Sequence, residues 1–101
     1  MPTMIVLVDL KEGVAPEDYE RWVAGSYRPV VLGLPSVDDW RGYRVVGDEP
    51  PYRYVVTVEV NDLQQLERDA GNEEMRWLLG ELGRYAEVTQ LMSEQVLLEG
   101  V

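Results

Sequence analysis

The sequence predicts an α+β fold in which a four-stranded antiparallel sheet carries helices on one of its faces. Two observations predict it. Four short strand-like runs are separated by longer segments in which apolar residues recur at three- and four-residue spacing. Two of the runs also follow each other directly, joined by an acidic, proline-containing loop that is typical of a hairpin. The length of 101 residues is that of one domain, so we expect residues 1–101 to form a single domain.

The first strand and the first helix are predicted at the N-terminal end. Residues 4–10 are nearly all apolar, which is typical of a strand covered on both faces. The helix is expected to begin at Pro16, and its apolar residues keep helical spacing as far as Val31. Pro29 cannot donate a hydrogen bond to the carbonyl of Gly25, so the helical ladder is expected to loosen between them. A kink that only steers the chain into the next turn is the competing interpretation.

The second and third strands are predicted over residues 37–46 and 53–60. Strict alternation in the second strand would place Val37 and Tyr43 on one face of the sheet and Trp40 on the other. The loop between the strands contains two consecutive prolines, which lack backbone donors and end the pairing. The two strands are therefore expected to form an antiparallel hairpin.

The C-terminal half contains two helical segments and a last strand. The first segment has a cap at residues 61–62 and a stop at Gly71, and the second starts at Asn72. Trp77 lies beside the apolar stripe of the second segment, which indicates a rim or partner contact rather than a core position. The fourth strand, of mixed polarity, is predicted over residues 87–98.

The order strand, helix, strand, strand, helix, strand is that of the ferredoxin-like βαββαβ plait. The helices of such a plait leave the second face of the sheet open to solvent, yet the first and third strands here are apolar on both sides. A second copy that covers this face would form a twofold homodimer, with the two sheets closing into a dimeric α+β barrel. Trp40 and the fourth strand are the predicted contacts across that interface.

The charge of the chain limits its partners. Nineteen acidic and nine basic residues leave a formal net charge of −10. Nucleic acid and anionic membranes are therefore not expected partners. No apolar run is long enough to span a bilayer and no secretory leader pattern is present, so we expect a cytoplasmic protein.

Absent residue types narrow the chemistry further. The chain has no Cys and no His, which removes thiolate nucleophiles, the usual acid–base group and the commonest transition-metal ligand. There is no glycine-rich phosphate loop, so no nucleotide cofactor is expected. The adjacent acids at 38–39 and 48–49 are interpreted as solvated surface, and no metal is expected, because neighbours on a strand point to opposite faces.

Several residues between positions 19 and 45 carry a resemblance to a known superfamily. Tyr-Glu-Arg-Trp-Val at 19–23, Pro29 late in the first helix, and Leu-Pro-Ser-Val at 34–37 before Tyr-Arg-Val at 43–45 resemble the dimeric α+β barrel proteins. Within that superfamily the order is most similar to the RedY/HapK-like group. The resemblance implies an association with prodiginine and bisindole natural-product pathways. Related EthD-like proteins have a His two residues before the helix proline, where this chain has Tyr27.

A pocket is predicted between the first helix and the sheet. Tyr27 is expected to donate a hydrogen bond or transfer a proton, Arg28 to stabilise developing negative charge, Ser26 to position the substrate, and Asp9 to act as a base. The aromatic residues expected to bind substrate are Trp22, Tyr19, Tyr43 and Tyr54. Core packing is the competing interpretation for Trp22 and Tyr19, a solvated surface position for Arg28, and a strand end that points to water for Asp9.

The leading hypothesis is a cofactor-independent tailoring enzyme that guides a cyclisation, rearrangement or oxygenation of an aromatic or indole-like intermediate. The second is a non-catalytic module that binds or chaperones such a molecule, since the same pocket serves both. The third, a regulatory ligand-sensing domain, would need an attached DNA-binding unit, for which the chain has no residues left.

Overall fold

The structure, a computed structural model, describes residues 2–96. Its strands are β1 (Pro2–Leu10), β2 (Val37–Arg44), β3 (Tyr54–Val60) and β4 (Ala86–Glu94), and its helices are α1 (Pro16–Trp22), α2 (Arg28–Leu32), α3 (Leu63–Ala70) and α4 (Glu73–Tyr85), with a π-helical turn at Val23–Tyr27 between α1 and α2. The predicted βαββαβ order is confirmed. The last strand is predicted to reach residue 98, but β4 ends at Glu94, so the prediction is wrong for residues 95–96. Residues 97–98 lie outside the described part of the chain.

The sheet has the strand order β2-β3-β1-β4, and every neighbouring pair is antiparallel. One face of β1 and β3 packs against the helices and forms the core. The buried strand residues on that face are Val6, Val8, Tyr54, Val56, Val58 and Val60, and the helices contribute Tyr19, Val23, Tyr27, Val31, Met75, Leu78 and Leu82. The predicted α+β plait is therefore confirmed, with all described helices on the core side.

The opposite face of the sheet is uncovered in the single chain and has an apolar centre among polar residues. Ile5 and Leu7 of β1 lie beside Val55 of β3 in the register of the sheet, and Leu91 of β4 is paired with Ile5. Leu91 is 49% exposed, as is Tyr43 on β2. The predicted apolar second face is present in β1, which is covered on only one of its two faces within this chain. The prediction is wrong for β3, whose open face carries Thr57 and Glu59 beside Val55.

The first helical segment continues through the proline by widening one turn. The N–H of Arg28 bonds to the carbonyl of Val23, five residues earlier, instead of to a carbonyl four residues earlier. This wider turn accommodates Pro29, which has no N–H to donate and whose ring would crowd the carbonyl of Gly25. The predicted loosening between Gly25 and Pro29 thus takes the form of a π-helical turn.

A bulge in β2 corrects the predicted alternation. Val37 is paired with Val60 and Trp40 with Val58, so the register shifts by one residue between Val37 and Asp39. Both Val37 and Trp40 consequently lie on the core side and are buried. The prediction that Trp40 contacts a partner across the open face is wrong, because an extra residue in a strand reverses the side to which the following residues point.

A buried polar contact joins α3 to the turn before β2. Ser36 is fully buried, and Asp69 is 6% exposed. The Ser36 hydroxyl and backbone N–H both donate to Asp69 Oδ2, at 2.6 and 3.1 Å, and Gln65 Nε2 donates to Asp69 Oδ1 at 2.8 Å. These three donors satisfy the buried carboxylate and hold α3 against the chain segment that leads into β2.

Trp77 of α4 is 61% exposed, which confirms its predicted place outside the core. Within residues 2–96, no helix has both the length and the apolar character that crossing a bilayer would require.

Candidate active site

A cleft of about 220 Å³ lies between the first helical segment and the core side of β2 and β3. Its walls are mainly apolar and aromatic, and its charged residues come from both layers. The residues that line it are Tyr19, Glu20, Val23, Ala24, Arg28, Trp40, Gly42, Tyr43, Arg44, Tyr54 and Val56. A cavity of about 150 Å³ accepts benzene, so this cleft has room for two fused rings.

Gly42 shapes the floor of the cleft. A Cβ atom at this position would lie 2.9 Å from Cη2 and 3.0 Å from Cζ3 of Trp40. The missing side chain lets the Trp40 indole lie flat along β2, where it is 7% exposed. The Arg28 guanidinium lies over the ring, 5.9 Å from its centroid, a cation–π distance. The indole Nε1 is buried and has no hydrogen-bonding partner within residues 2–96.

A hydrogen-bonded group of three polar side chains stands in the wall of the cleft. The Tyr54 hydroxyl donates to Glu20 Oε2 at 2.6 Å, and Arg44 Nη2 donates to both carboxylate oxygens at 2.8 Å. The hydrogen bond from Tyr54, and after it the one from Arg44, holds the pKa of the Glu20 carboxyl below its ordinary value. Glu20 therefore stays ionised near neutral pH and fixes the direction of the Tyr54 O–H.

Two tyrosine rings form the inner wall. Tyr19 and Tyr54 are 4.7 Å apart between ring centroids, with an interplanar angle of 36°. Burial raises the pKa of the Tyr19 hydroxyl far above its ordinary value, and the nearby tyrosines and Glu20 add to the effect. Burial, followed by the Glu20 carboxylate, also raises the pKa of Tyr54. Both phenols are thus neutral donors rather than phenolates.

The structure brings four of the eight predicted site residues to this cleft. They are Tyr19, Tyr43, Tyr54 and Arg28, although Tyr43 stands at the rim because alternation along β2 directs its side chain to the open face. Tyr27 is buried with a raised pKa, caused by that burial, and lines a neighbouring cavity instead.

The other three predicted residues lie away from the cleft. Trp22 stacks between the rings of Tyr27 and Tyr85, with centroid distances of 5.4 and 5.1 Å. Ser26 is half-buried and lines a surface depression together with Trp22 and Tyr85. Asp9 is exposed near the end of β1, paired with Glu87. The interpretation of Asp9 as a strand end that faces water is confirmed.

The sequence reasoning missed Glu20, Arg44 and Gly42. A signal for Arg44 was available in the alternation of β2. Arg44 follows Gly42 by two residues and Trp40 by four, so all three lie on the same face of the strand. Once Trp40 is on the core side, Arg44 must face the first helix as well. Glu20 follows the buried Tyr19 directly, and no local pattern distinguishes it from a solvated helix residue. Within residues 2–96 there is no cluster of three or more Asp or Glu residues arranged to hold a metal ion.

The model of the family described as REDY-like protein HapK matches residues 2–97 of the sequence. The chain belongs to this family. HapK from Hahella chejuensis is 26% identical to it, with a TM-score of 0.84 over 95% of this chain and 93% of HapK. No curated protein matches the chain.

Two more distant structures share the fold of this HapK-family chain. SnoaB from Streptomyces nogalater, described as a cofactor-independent oxygenase, is 12% identical, with a TM-score of 0.80 over 99% of this chain and 97% of SnoaB. A protein of unknown function from Thermobifida fusca, described as dimeric and ferredoxin-like, is 12% identical, with a TM-score of 0.76 over 93% of this chain and 90% of that protein. The predicted ferredoxin-like fold is confirmed by these neighbours.

Proposed function

We propose that the chain is a cofactor-independent tailoring enzyme that acts on an aromatic or indole-like natural-product intermediate by cyclisation, rearrangement or oxygenation. The observation that carries this proposal is the cleft itself, where aromatic walls meet the hydrogen-bonded group of Tyr54, Glu20 and Arg44. Membership of the HapK family and the fold shared with SnoaB, an enzyme described as needing no cofactor, support it.

The proposed roles follow from the geometry. The Trp40 and Tyr19 rings contact the faces or edges of a planar substrate, which is the way aromatic walls select flat molecules. Arg28, on the same side of Trp40, stabilises negative charge that develops on a substrate oxygen. The Tyr54 hydroxyl gives its one proton to Glu20, so its oxygen accepts a hydrogen bond from an N–H or O–H of the substrate, and Glu20 with Arg44 keeps that hydroxyl in place.

A non-catalytic binding or chaperoning module is the second candidate, and the pKa directions favour it. A general acid or base works best when its pKa is near the working pH. The pKa of Glu20 is lowered, while the pKa values of Tyr19 and Tyr54 are raised. All three are moved away from neutrality, which suits a site that orients a molecule more than one that exchanges protons with it.

Incubation with indole- and naphthol-type compounds in air, followed by mass spectrometry, tests the proposal. We expect many equivalents of product per protein chain, and strongly reduced turnover in Arg28→Gln and Tyr54→Phe. The matched control is Tyr52→Phe, which removes a hydroxyl from the loop before β3, outside the cleft. Protection of one equivalent without turnover would favour the binding module. Failure of every compound to bind would contradict both.

We also propose that the open face of the sheet is covered by a second copy of the chain, as two related structures are described as dimeric. Light scattering is expected to give the mass of a dimer. Leu91→Glu, at an exposed position of that face, should yield a monomer, whereas Trp77→Glu on α4 should remain dimeric. A monomeric unmodified chain at micromolar concentration would contradict this proposal.

A further inference from the structure

A second cavity, of about 240 Å³, lies on the core side between β1 and β4 and the helices α2, α3 and α4. Three methionines, Met4, Met75 and Met92, line it together with Tyr27 and apolar residues such as Val31 and Leu79. We refer to it as the methionine cavity. No residue lines both this cavity and the cleft described above.

Tyr27 forms part of the wall between the two spaces. Its ring is stacked on Trp22 at 5.4 Å and meets the Trp40 ring edge-on, with 6.4 Å between centroids and an angle of 72°. Trp40 lines the cleft and Tyr27 lines the methionine cavity, so the pair separates them. The side chains on both sides of Tyr27 keep its ring from turning away from the cavity.

The Tyr27 hydroxyl is a donor without a partner in the protein. It makes no hydrogen bond within the part of the chain that the structure describes, and the residue as a whole is 7% exposed. Among those residues the fully buried polar side-chain atom without a partner is Trp40 Nε1, so the Tyr27 hydroxyl keeps some access to solvent. A ligand with an acceptor atom in the methionine cavity would supply the missing partner.

We propose that the methionine cavity is a second binding site, separate from the cleft, for a neutral bicyclic aromatic molecule that carries a hydrogen-bond acceptor. This proposal does not depend on the chemistry of the cleft. It assigns Tyr27 the role of donor to that acceptor.

The size and lining of the cavity define this class of ligand. An apolar cavity of about 150 Å³ takes one benzene ring, so a space of about 240 Å³ takes two fused rings. Methionine side chains are flexible and polarisable, and their sulfur atoms make favourable contacts with aromatic rings. The one charged residue that lines the cavity is Glu67, which is exposed at its mouth, so an anion would be repelled.

The test uses protein labelled with ¹³C at the methionine methyl groups, with quinoline as the probe. Quinoline has two fused rings and one acceptor nitrogen, and it is neutral at pH 7.5. We expect saturable shifts of the Met4, Met75 and Met92 signals on titration. Because one neutral hydrogen bond contributes only modestly to the free energy of binding, Tyr27→Phe should weaken quinoline binding about two- to tenfold.

A second variant tests the location without altering Tyr27. Ala70 lines the cavity at the exposed end of α3, so Ala70→Phe should obstruct the mouth and abolish the methionine shifts. Gln64→Phe, an equally large change at an exposed α3 position outside the lining, should leave them intact. The proposal is overturned if saturating quinoline leaves all three signals in place, or if Ala70→Phe binds as well as Gln64→Phe. It is also overturned if the signals move with protein concentration and not with quinoline, because a second chain would then cover the cavity.

Discussion

Replacing Ser36 by Ala should destabilise the fold through the buried carboxylate of Asp69. The substitution removes the 2.6 Å hydrogen bond from the Ser36 hydroxyl and leaves the backbone donor and Gln65 in place. A hydrogen bond to a charged group contributes about 1.5–3 kcal/mol. For a domain of this length, an unfolding entropy of about 2.1 cal/mol/K per residue converts that loss into a Tm decrease of roughly 7–14 °C.

The effect should depend on pH in one direction. Burial would raise the pKa of Asp69, but the hydrogen bonds from Ser36 and Gln65 outweigh it and lower the pKa below its ordinary value. Stabilisation by a carboxyl with a lowered pKa is complete above the unfolded pKa and is lost as the pH falls through the folded pKa. The difference between Ser36→Ala and the unmodified chain should therefore be constant near neutrality and shrink in strong acid.

Urea unfolding at pH 7 and pH 2.5, followed by circular dichroism, measures both effects. The matched control is Ser93→Ala, which removes an equally short 2.6 Å hydrogen bond whose acceptor is the neutral backbone carbonyl of Thr3. It should cost about 0.5–1.5 kcal/mol and show no dependence on pH. A Ser36→Ala variant that loses no more stability than Ser93→Ala, or whose loss grows in acid, would refute the reasoning about Asp69.

Two further outcomes are expected around the cleft. Gly42→Ala should lower the free energy of unfolding by up to about 2.5 kcal/mol, since overpacking against Trp40 costs about 1–3 kcal/mol and removing a strand glycine returns about 0.5–1 kcal/mol. Thermal unfolding measures this loss, and an increase in Tm would show that the indole moves aside without cost. Tyr54→Phe should raise the pKa of the Glu20 carboxyl toward its ordinary value, because the hydrogen bond from the Tyr54 hydroxyl is the largest cause of the lowered pKa. A ¹³C NMR titration of the Glu20 carboxyl measures this pKa. An unchanged pKa would mean that Arg44 alone lowers it.

The fold could be predicted from the sequence because it depends on local patterns. Runs of alternating or continuous apolar residues, the helix stops and the hairpin loop specify the order of elements. The register of β2 could not be predicted, since the bulge between Val37 and Asp39 leaves no mark in the composition of the strand. That single extra residue moved Trp40 from the expected dimer face into the core.

Only part of the candidate site could be predicted from the sequence, again because an irregularity of the backbone decides which residues share a face. The buried residues of the first helical segment, Tyr19, Val23, Tyr27 and Val31, are spaced by four, which in a regular α-helix would drift by about 40° at each step. The π-helical turn widens the helix and keeps them on one side. Tyr19 and Tyr54 follow from such patterns, whereas the pairing of Glu20 with Arg44 and Tyr54 depends on how the helix lies across β2 and β3, which only the tertiary structure shows.

The most direct measurement is a crystal structure of the protein soaked with a planar indole- or pyrrole-type compound. We expect density for its rings between Tyr19 and Trp40, with a polar atom of the compound within hydrogen-bonding distance of Tyr54 or Arg28. A compound that binds elsewhere while the cleft stays closed by its own aromatic side chains would contradict the assignment of this cleft as the site of function.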